Sequence, residues 1–141
     1  MNSLYNTRVM AVGGRAGSVK SEDGLLALPL AMPVSLGGKG GATNPEQLFA
    51  AGYAACFENA VLHVARGQKL PLKDDDVAVT ADVGLLPNGS GGFTLSVALD
   101  VEIGGLDQDA ADRLVQVAHS VCPYSSAVKG NIDVALNVAA R

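Results

Sequence analysis

Two cysteines, Cys56 and Cys122, are the side chains in this sequence best suited to covalent chemistry. They stand 66 positions apart, which excludes a Cys-x-x-Cys redox motif. Cys56 falls in the middle of a long apolar stretch, whereas Cys122 comes directly before Pro123 and a polar Tyr-Ser-Ser segment. One thiol is therefore expected to be held rigidly inside the fold and the other to lie at the frayed end of a helix. That asymmetry suits a pair in which the fixed thiolate is oxidised to a sulfenic acid and the mobile thiol then condenses with it to a disulfide. The alternative reading is two buried cysteines acting as small hydrophobic residues.

A working thiolate needs its pKa lowered from about 8.5, and apolar burial in mid-helix does the opposite, so a cation must approach Cys56. Arg66 lies ten residues along the same stretch, about 15 Å by helical rise, and is too distant. Arg15 is the better candidate, because Gly13, Gly14 and Gly17 around it let the backbone come close; its alternative is a solvated hairpin arginine. Glu46 also lies ten residues from Cys56, and Thr43-x-x-Glu46 matches a capping box at the start of a helix. For Glu46 to assist Cys56, a long Arg15 must bridge them, the helix must break, or Glu46 must come from a second subunit. The last option predicts a dimer with sites at its seam. A metal site is a further alternative, since Cys56 and His63 are seven apart and His119 and Cys122 three apart. Neither pair has the spacing of a known zinc module, and no metal is expected.

The elements that must position these groups can be read from the pattern. Residues 43–67 form one helix, with Thr43 or Asn44 as N-cap, Pro45 in the first turn and Gly67 at the end. Its apolar residues cover nearly every side, which marks a core helix packed through alanines. Glu46, Glu58, Asn59, His63 and Arg66 make it a poor membrane span despite adequate length. Ahead of it, short strands are expected at 4–12, 15–20 and 25–30, and the glycine-rich run at 37–42 lacks the spacing of a phosphate loop. After it come strands at about 77–86 and 93–103 joined by a turn at 88–92. Leu95, Val97, Leu99, Val101 and Ile103 alternate with polar residues, giving one buried and one wet face. A second helix starts with Asp107 as N-cap and ends near Cys122, because Pro123 disfavours helical geometry before it. A last strand spans 132–138. The order βββ-α-ββ-α-β is not a regular βαβ alternation, so the class is α+β, in a single domain over residues 1–141.

With 48% hydrophobic and 17% charged residues in 141, the chain has ample material for one core. A net charge of −4 with scattered Lys and Arg argues against a nucleic-acid surface. The first residues lack the pattern of a signal peptide, so a cytoplasmic, reducing setting is expected, where paired cysteines are more often reactive than structural.

Three segments together resemble the organic hydroperoxide resistance (Ohr) branch of the Ohr/OsmC family: TNPEQLFAAGYAACF at 43–57, GGRAG at 13–17 and VCPYS at 121–125. The resemblance covers essentially the whole chain. It implies a cysteine-based peroxidase that reduces organic hydroperoxides to alcohols, with Cys56 as the peroxidatic thiol and Cys122 as the resolving one. Arg15 would stabilise the thiolate and orient the peroxide, and Glu46 would hold Arg15. Phe49, Tyr53 and Phe57 are expected to supply apolar walls that favour alkyl or fatty-acyl substrates. The resemblance further implies an intertwined homodimer, its two central helices wrapped by antiparallel sheets. No cofactor would be bound, and dihydrolipoyl groups on a lipoylated protein would recycle the disulfide. Two alternatives accompany this reading: an OsmC-type relative with broader substrate use, and a non-catalytic, zinc-stabilised redox-sensing binding protein.

Overall fold

The computed structural model describes residues 1–141, which fall into two compact units, Met1–Leu48 and Phe49–Arg141. The first unit is built on a three-stranded antiparallel sheet of β1 (Val9–Val12), β2 (Ser18–Ser21) and β3 (Ala27–Pro29). Val12 pairs with Ser18, and the intervening turn takes left-handed backbone at Gly13 (φ 85°) and Gly14 (φ 62°). Gly17 is required for a different reason: a Cβ there would lie 1.7 Å from the Val12 carbonyl oxygen. Glycines thus fold the turn tightly and leave Arg15 at its tip. The expected strands at 4–12 and 15–20 are shorter than anticipated, because residues 4–8 find no neighbouring strand and Gly14–Ala16 winds into a 3-10 turn. All four β1 residues are exposed, Met10 and Val12 by 67% and 63%. Such an uncovered apolar edge is unusual for a chain that works alone.

The helix α1 (Pro45–Gly67) begins in the first unit and runs without a break through the second. Asn44 caps it, its Oδ1 accepting from the Gln47 backbone N–H at 2.9 Å. Thr43 turns to the Gln47 side chain, so the expected capping box between Thr43 and Glu46 does not form. By length and composition α1 could cross a membrane, yet from Tyr53 onward it is a core element: Tyr53, Phe57, Ala60, Val61, Leu62, Val64 and Ala65 are buried. Ala51, Ala55, Asn59, His63 and Arg66 form an exposed stripe, so within one chain the helix is not enclosed on every side.

In the second unit β4 (Val77–Pro87) and β5 (Phe93–Ile103) form an eleven-residue antiparallel hairpin. The alternation expected for β5 holds, with Val97, Leu99, Val101 and Ile103 buried. Asp107 caps α2 (Gln108–Val121) by accepting from the Ala110 N–H at 2.8 Å. Cys122 then adopts extended backbone (ψ 124°), and Pro123 opens another short helix, α3 (Pro123–Val128). The proline that stops one helix is well placed to start the next, since its fixed φ suits the first helical position. The final strand β6 (Ala135–Ala140) starts three residues later than expected and runs parallel to β5, with Ala98 opposite Ala135. The chain crosses back through α2 and α3, which makes this sheet mixed where an antiparallel one was expected.

Candidate active site

The candidate residues gather in two places. In the first unit, the Arg15 guanidinium at the hairpin tip meets the Glu46 carboxylate through both oxygens, Nη1 to Oε2 at 2.8 Å and Nη2 to Oε1 at 2.5 Å. This two-pronged, charge-assisted contact is the arrangement that makes arginine selective for carboxylates. Asn44 rather than Thr43 caps the helix, which puts Glu46 one residue short of the capping-box position, and its carboxylate is turned to Arg15. The Arg15 hydrogen bond holds the Glu46 carboxyl below its usual range against the opposing effect of burial, and Glu46 raises the guanidinium in return. Arg15 is therefore not a solvated hairpin arginine. Its side chain keeps 36% of its surface open, leaving room for a third contact.

In the second unit the two thiols are neighbours, with Cys122 Sγ 3.9 Å from Cys56 Sγ and no bond between them. Their burial reverses the expectation from sequence. Cys122 is wholly buried and locked between α2 and α3, while Cys56 on α1 keeps partial exposure. The frayed helix end foreseen for Cys122 is absent because α3 begins at once and returns the chain to the core. Burial pushes the Cys56 thiol above its ordinary value, the Tyr124 backbone N–H partly offsets this, and the neighbouring Cys122 adds to the rise. No cation is among the groups acting on the Cys56 thiol, and an ionised sulfur requires one.

Around the sulfurs lies a polar chain that sequence reasoning missed. Tyr53 Oη is 2.7 Å from Ser125 Oγ, and His119 Nδ1 is 2.8 Å from the same oxygen. Tyr53 has no exposed surface and Ser125 only 3%. Burial first, and then charge on Cys122 and Cys56, push the Tyr53 phenol up, against the Ser125 hydrogen bond. The available clue was spacing: Tyr53 and Cys56 stand three apart on α1, and His119, Cys122 and Ser125 follow one another at intervals of three.

Of the three aromatic residues expected to line a substrate wall, Tyr53 and Phe57 are fully buried and Phe49 alone is partly open. Phe49 meets Tyr53 and Tyr124 edge-on at 6.1 and 6.3 Å. The Tyr124 hydroxyl lies over Gly52, 2.4 Å from where a Cβ would be, so glycine at that point of α1 is what admits the ring. His63 is exposed, His119 is engaged by Ser125, and no three His, Cys, Asp or Glu side chains converge as a metal site would need.

Comparison with known proteins gives this arrangement a context. Residues 38–137 match the family model described as OsmC-like protein. The chain is 44% identical over 137 residues to the organic hydroperoxide resistance protein OhrB of Bacillus subtilis, covering 96% of this chain and 98% of that one. Its structure superposes on that of an organic hydroperoxide resistance protein from Legionella pneumophila with a TM-score of 0.94 and 57% identity, over 98% and 99% of the two chains. A similar structure from Vibrio cholerae, a putative organic hydroperoxide resistance protein, holds captopril in one of its active sites. It is 58% identical with a TM-score of 0.93, over 98% of this chain and 94% of that one.

Proposed function

This chain belongs to the OsmC-like family, among its organic hydroperoxide resistance proteins, and from that premise we propose that it is a thiol peroxidase acting through Cys56 and Cys122. The observation that carries the reading is the pair of unbonded sulfurs at 3.9 Å on two different elements. Thiols at this separation can become a disulfide, whose S–S length is about 2.0 Å, with a shift of about 2 Å. In the first step the Cys56 thiolate attacks the distal oxygen of the hydroperoxide. An S–O bond forms, the O–O bond breaks, and the alkoxide takes a proton to leave as the alcohol. In the second step Cys122 sulfur attacks the Cys56 sulfenic acid. The S–S bond forms, the S–O bond breaks, and oxygen departs as water with the Cys122 proton.

Arg15 supplies the missing cation. A guanidinium beside sulfur and peroxide offsets negative charge as it moves from one to the other, and Glu46 orients it. Glu46 and Cys56 ride on one unbroken helix, about 15 Å apart along its axis, and this separation favours the reading that the guanidinium held by Glu46 serves the thiol of a partner chain. That reading calls for a homodimer with shared sites. Two features support it: the uncovered β1 edge with Met10 and Val12, and the exposed Ala51 and Ala55 on α1. Phe49, which keeps open surface, offers the apolar contact that favours an alkyl or fatty-acyl hydroperoxide over hydrogen peroxide, with Tyr53 and Phe57 backing it. The thiols carry both electrons themselves, so the cycle calls for no resident cofactor. A dithiol of the dihydrolipoyl class, on a lipoylated protein in a reducing cytoplasm, returns two electrons and two protons to the disulfide.

The test is stoichiometric. Reduced protein treated with one equivalent of tert-butyl hydroperoxide should lose both thiols of each chain and about 2 Da of mass, the signature of an intrachain disulfide. Cys122→Ser should consume one equivalent and stop, and Cys56→Ser should consume none. Peroxide consumption by Cys56→Ser, or no loss of thiols in the native chain, overturns the proposal.

A further inference from the structure

Gly52 breaks the pattern of the helix around it. Ala50, Ala51, Ala54 and Ala55 are its neighbours on α1, and alanine in its place would favour the helix, because glycine gives up more backbone freedom on folding. Its backbone is helical and not left-handed, so conformation does not require glycine there. The ring of Tyr124 does: a Cβ on residue 52 would collide with its hydroxyl and stand 3.0 and 3.2 Å from Cζ and Cε2. A residue kept against local propensity points to a task beyond holding the helix.

The ring that Gly52 admits belongs to the segment carrying the second sulfur. Tyr124 follows Cys122 by two residues, and Cys56 follows Gly52 by four, one turn along the same face of α1. The seated ring lies 5.5 Å from that of Tyr53 and 6.3 Å from that of Phe49, on either side of the glycine in sequence. One residue beyond, Ser125 meets Tyr53 at 2.7 Å. The segment 122–125 is thus fastened to α1 by an aromatic seat and a hydrogen bond, and the sulfur pair at 3.9 Å stands at the near end of the same contact. Resting on the peroxidase reading above, we infer that Gly52 is a positioning residue for disulfide closure: by seating the Tyr124 ring it keeps Cys122 within closing distance of Cys56. It has no side chain to touch the reacting atoms and acts through the ring. Closing a disulfide costs the freedom its two ends had while apart, so a pair already held near contact closes more readily. The coupling is reciprocal, and the disulfide favours the seated ring by the same factor. Tyr124 is 37% exposed, so a ring pushed off the glycine swings into solvent and the segment loses that tie to α1.

The readout is the equilibrium of the Cys56–Cys122 disulfide against the dithiothreitol couple, at one pH and without peroxide. Two electrons and two protons pass from the protein dithiol to cyclic dithiothreitol, whose S–S bond breaks as that of the protein forms. Reduced and oxidised chains are counted by alkylation and mass. Gly52→Ala should shift the constant about tenfold toward the dithiol, the scale of one or two lost aromatic contacts. Tyr124→Phe keeps the ring and should match the native chain; added to Gly52→Ala, it takes the hydroxyl out of the clash and should recover most of the loss. Tyr124→Ala should resemble Gly52→Ala, and the two together should be no worse than either, because seat and ring are one interaction. Stability separates this role from general packing. With the ring gone, Gly52→Ala should raise the urea midpoint of the reduced protein at fixed concentration, yet leave its disulfide equilibrium unchanged. A Gly52→Ala chain with the native constant, or losses that add in the Gly52→Ala and Tyr124→Ala double variant, overturns the inference. A ring-dependent shift in a protein that consumes no hydroperoxide leaves the inference standing and overturns the peroxidase reading; peroxide consumption with no such shift does the reverse.

Discussion

Removing the Ser125 hydroxyl should destabilise this protein more than removing the Tyr53 hydroxyl, although each change deletes a single oxygen. Tyr53→Phe loses the 2.7 Å bond but leaves Ser125 with His119, so its cost is one net hydrogen bond, about 1 kcal/mol. Ser125→Ala removes the atom on which both neighbours depend. The Tyr53 phenol, with no exposed surface, is then left unpaired in the core at about 1–3 kcal/mol, while the partly exposed His119 regains water. Together with the lost bonds, the total is about 2–4 kcal/mol. The double variant loses the shared bond once and has no stranded phenol, so its cost should fall below the sum of the singles by about 2–4 kcal/mol. Urea unfolding of the reduced protein at one fixed concentration measures all four corners, with the concentration held constant because association contributes to stability. Equal costs for the two single changes, or strict additivity in the double, would refute the picture of a central serine serving two partners.

Two further outcomes follow from the Arg15–Glu46 pair. Because Arg15 depresses the Glu46 pKa, the pair's contribution is complete above the unfolded carboxyl value near 4.3 and is lost as pH falls through the lower folded value. Glu46→Gln should therefore cost about 1 kcal/mol or less at pH 7, given the partial exposure, and show a shallower acid limb; parallel urea midpoints for both proteins between pH 7 and 3 would contradict this. If the guanidinium serves the partner's thiol, Arg15→Ala and Cys56→Ser chains are each inactive alone. Unfolded and refolded together, they should recover about one quarter of native activity, since half of the random dimers carry one intact site out of two. No recovery despite verified mixed dimers would place both groups in one chain.

Much of the architecture was legible because its signals are local. Asp107 caps α2 and β5 alternates, since both depend on near neighbours along the chain. Glu46 misled for the same reason. Its spacing from Thr43 satisfied a local rule, but Asn44 takes the cap, and the carboxylate's guanidinium partner lies 31 residues away. The three residues from Pro123 looked like a loose end because a six-residue helix leaves almost no periodicity to read, and with α3 unforeseen the burial of Cys122 was unforeseeable too. Gly52 carried no visible purpose, because only the ring of Tyr124, 72 positions away, explains it. The parallel pairing of β6 follows from where two helices deliver the chain, and residue alternation says nothing about strand direction.

On the peroxidase reading proposed above, the unequal burial of the two sulfurs implies an order of events on the return path. Once they are joined, only the Cys56 atom borders open surface, so an incoming dithiol strikes there and is held for a moment as a mixed disulfide on α1. Cys122 is the sulfur expelled, released into the interior where no outside oxidant or thiol can intercept it before it is protonated. In that cycle the protein would expose one electrophilic atom at a time, and the electron donor and the peroxide would share a single doorway.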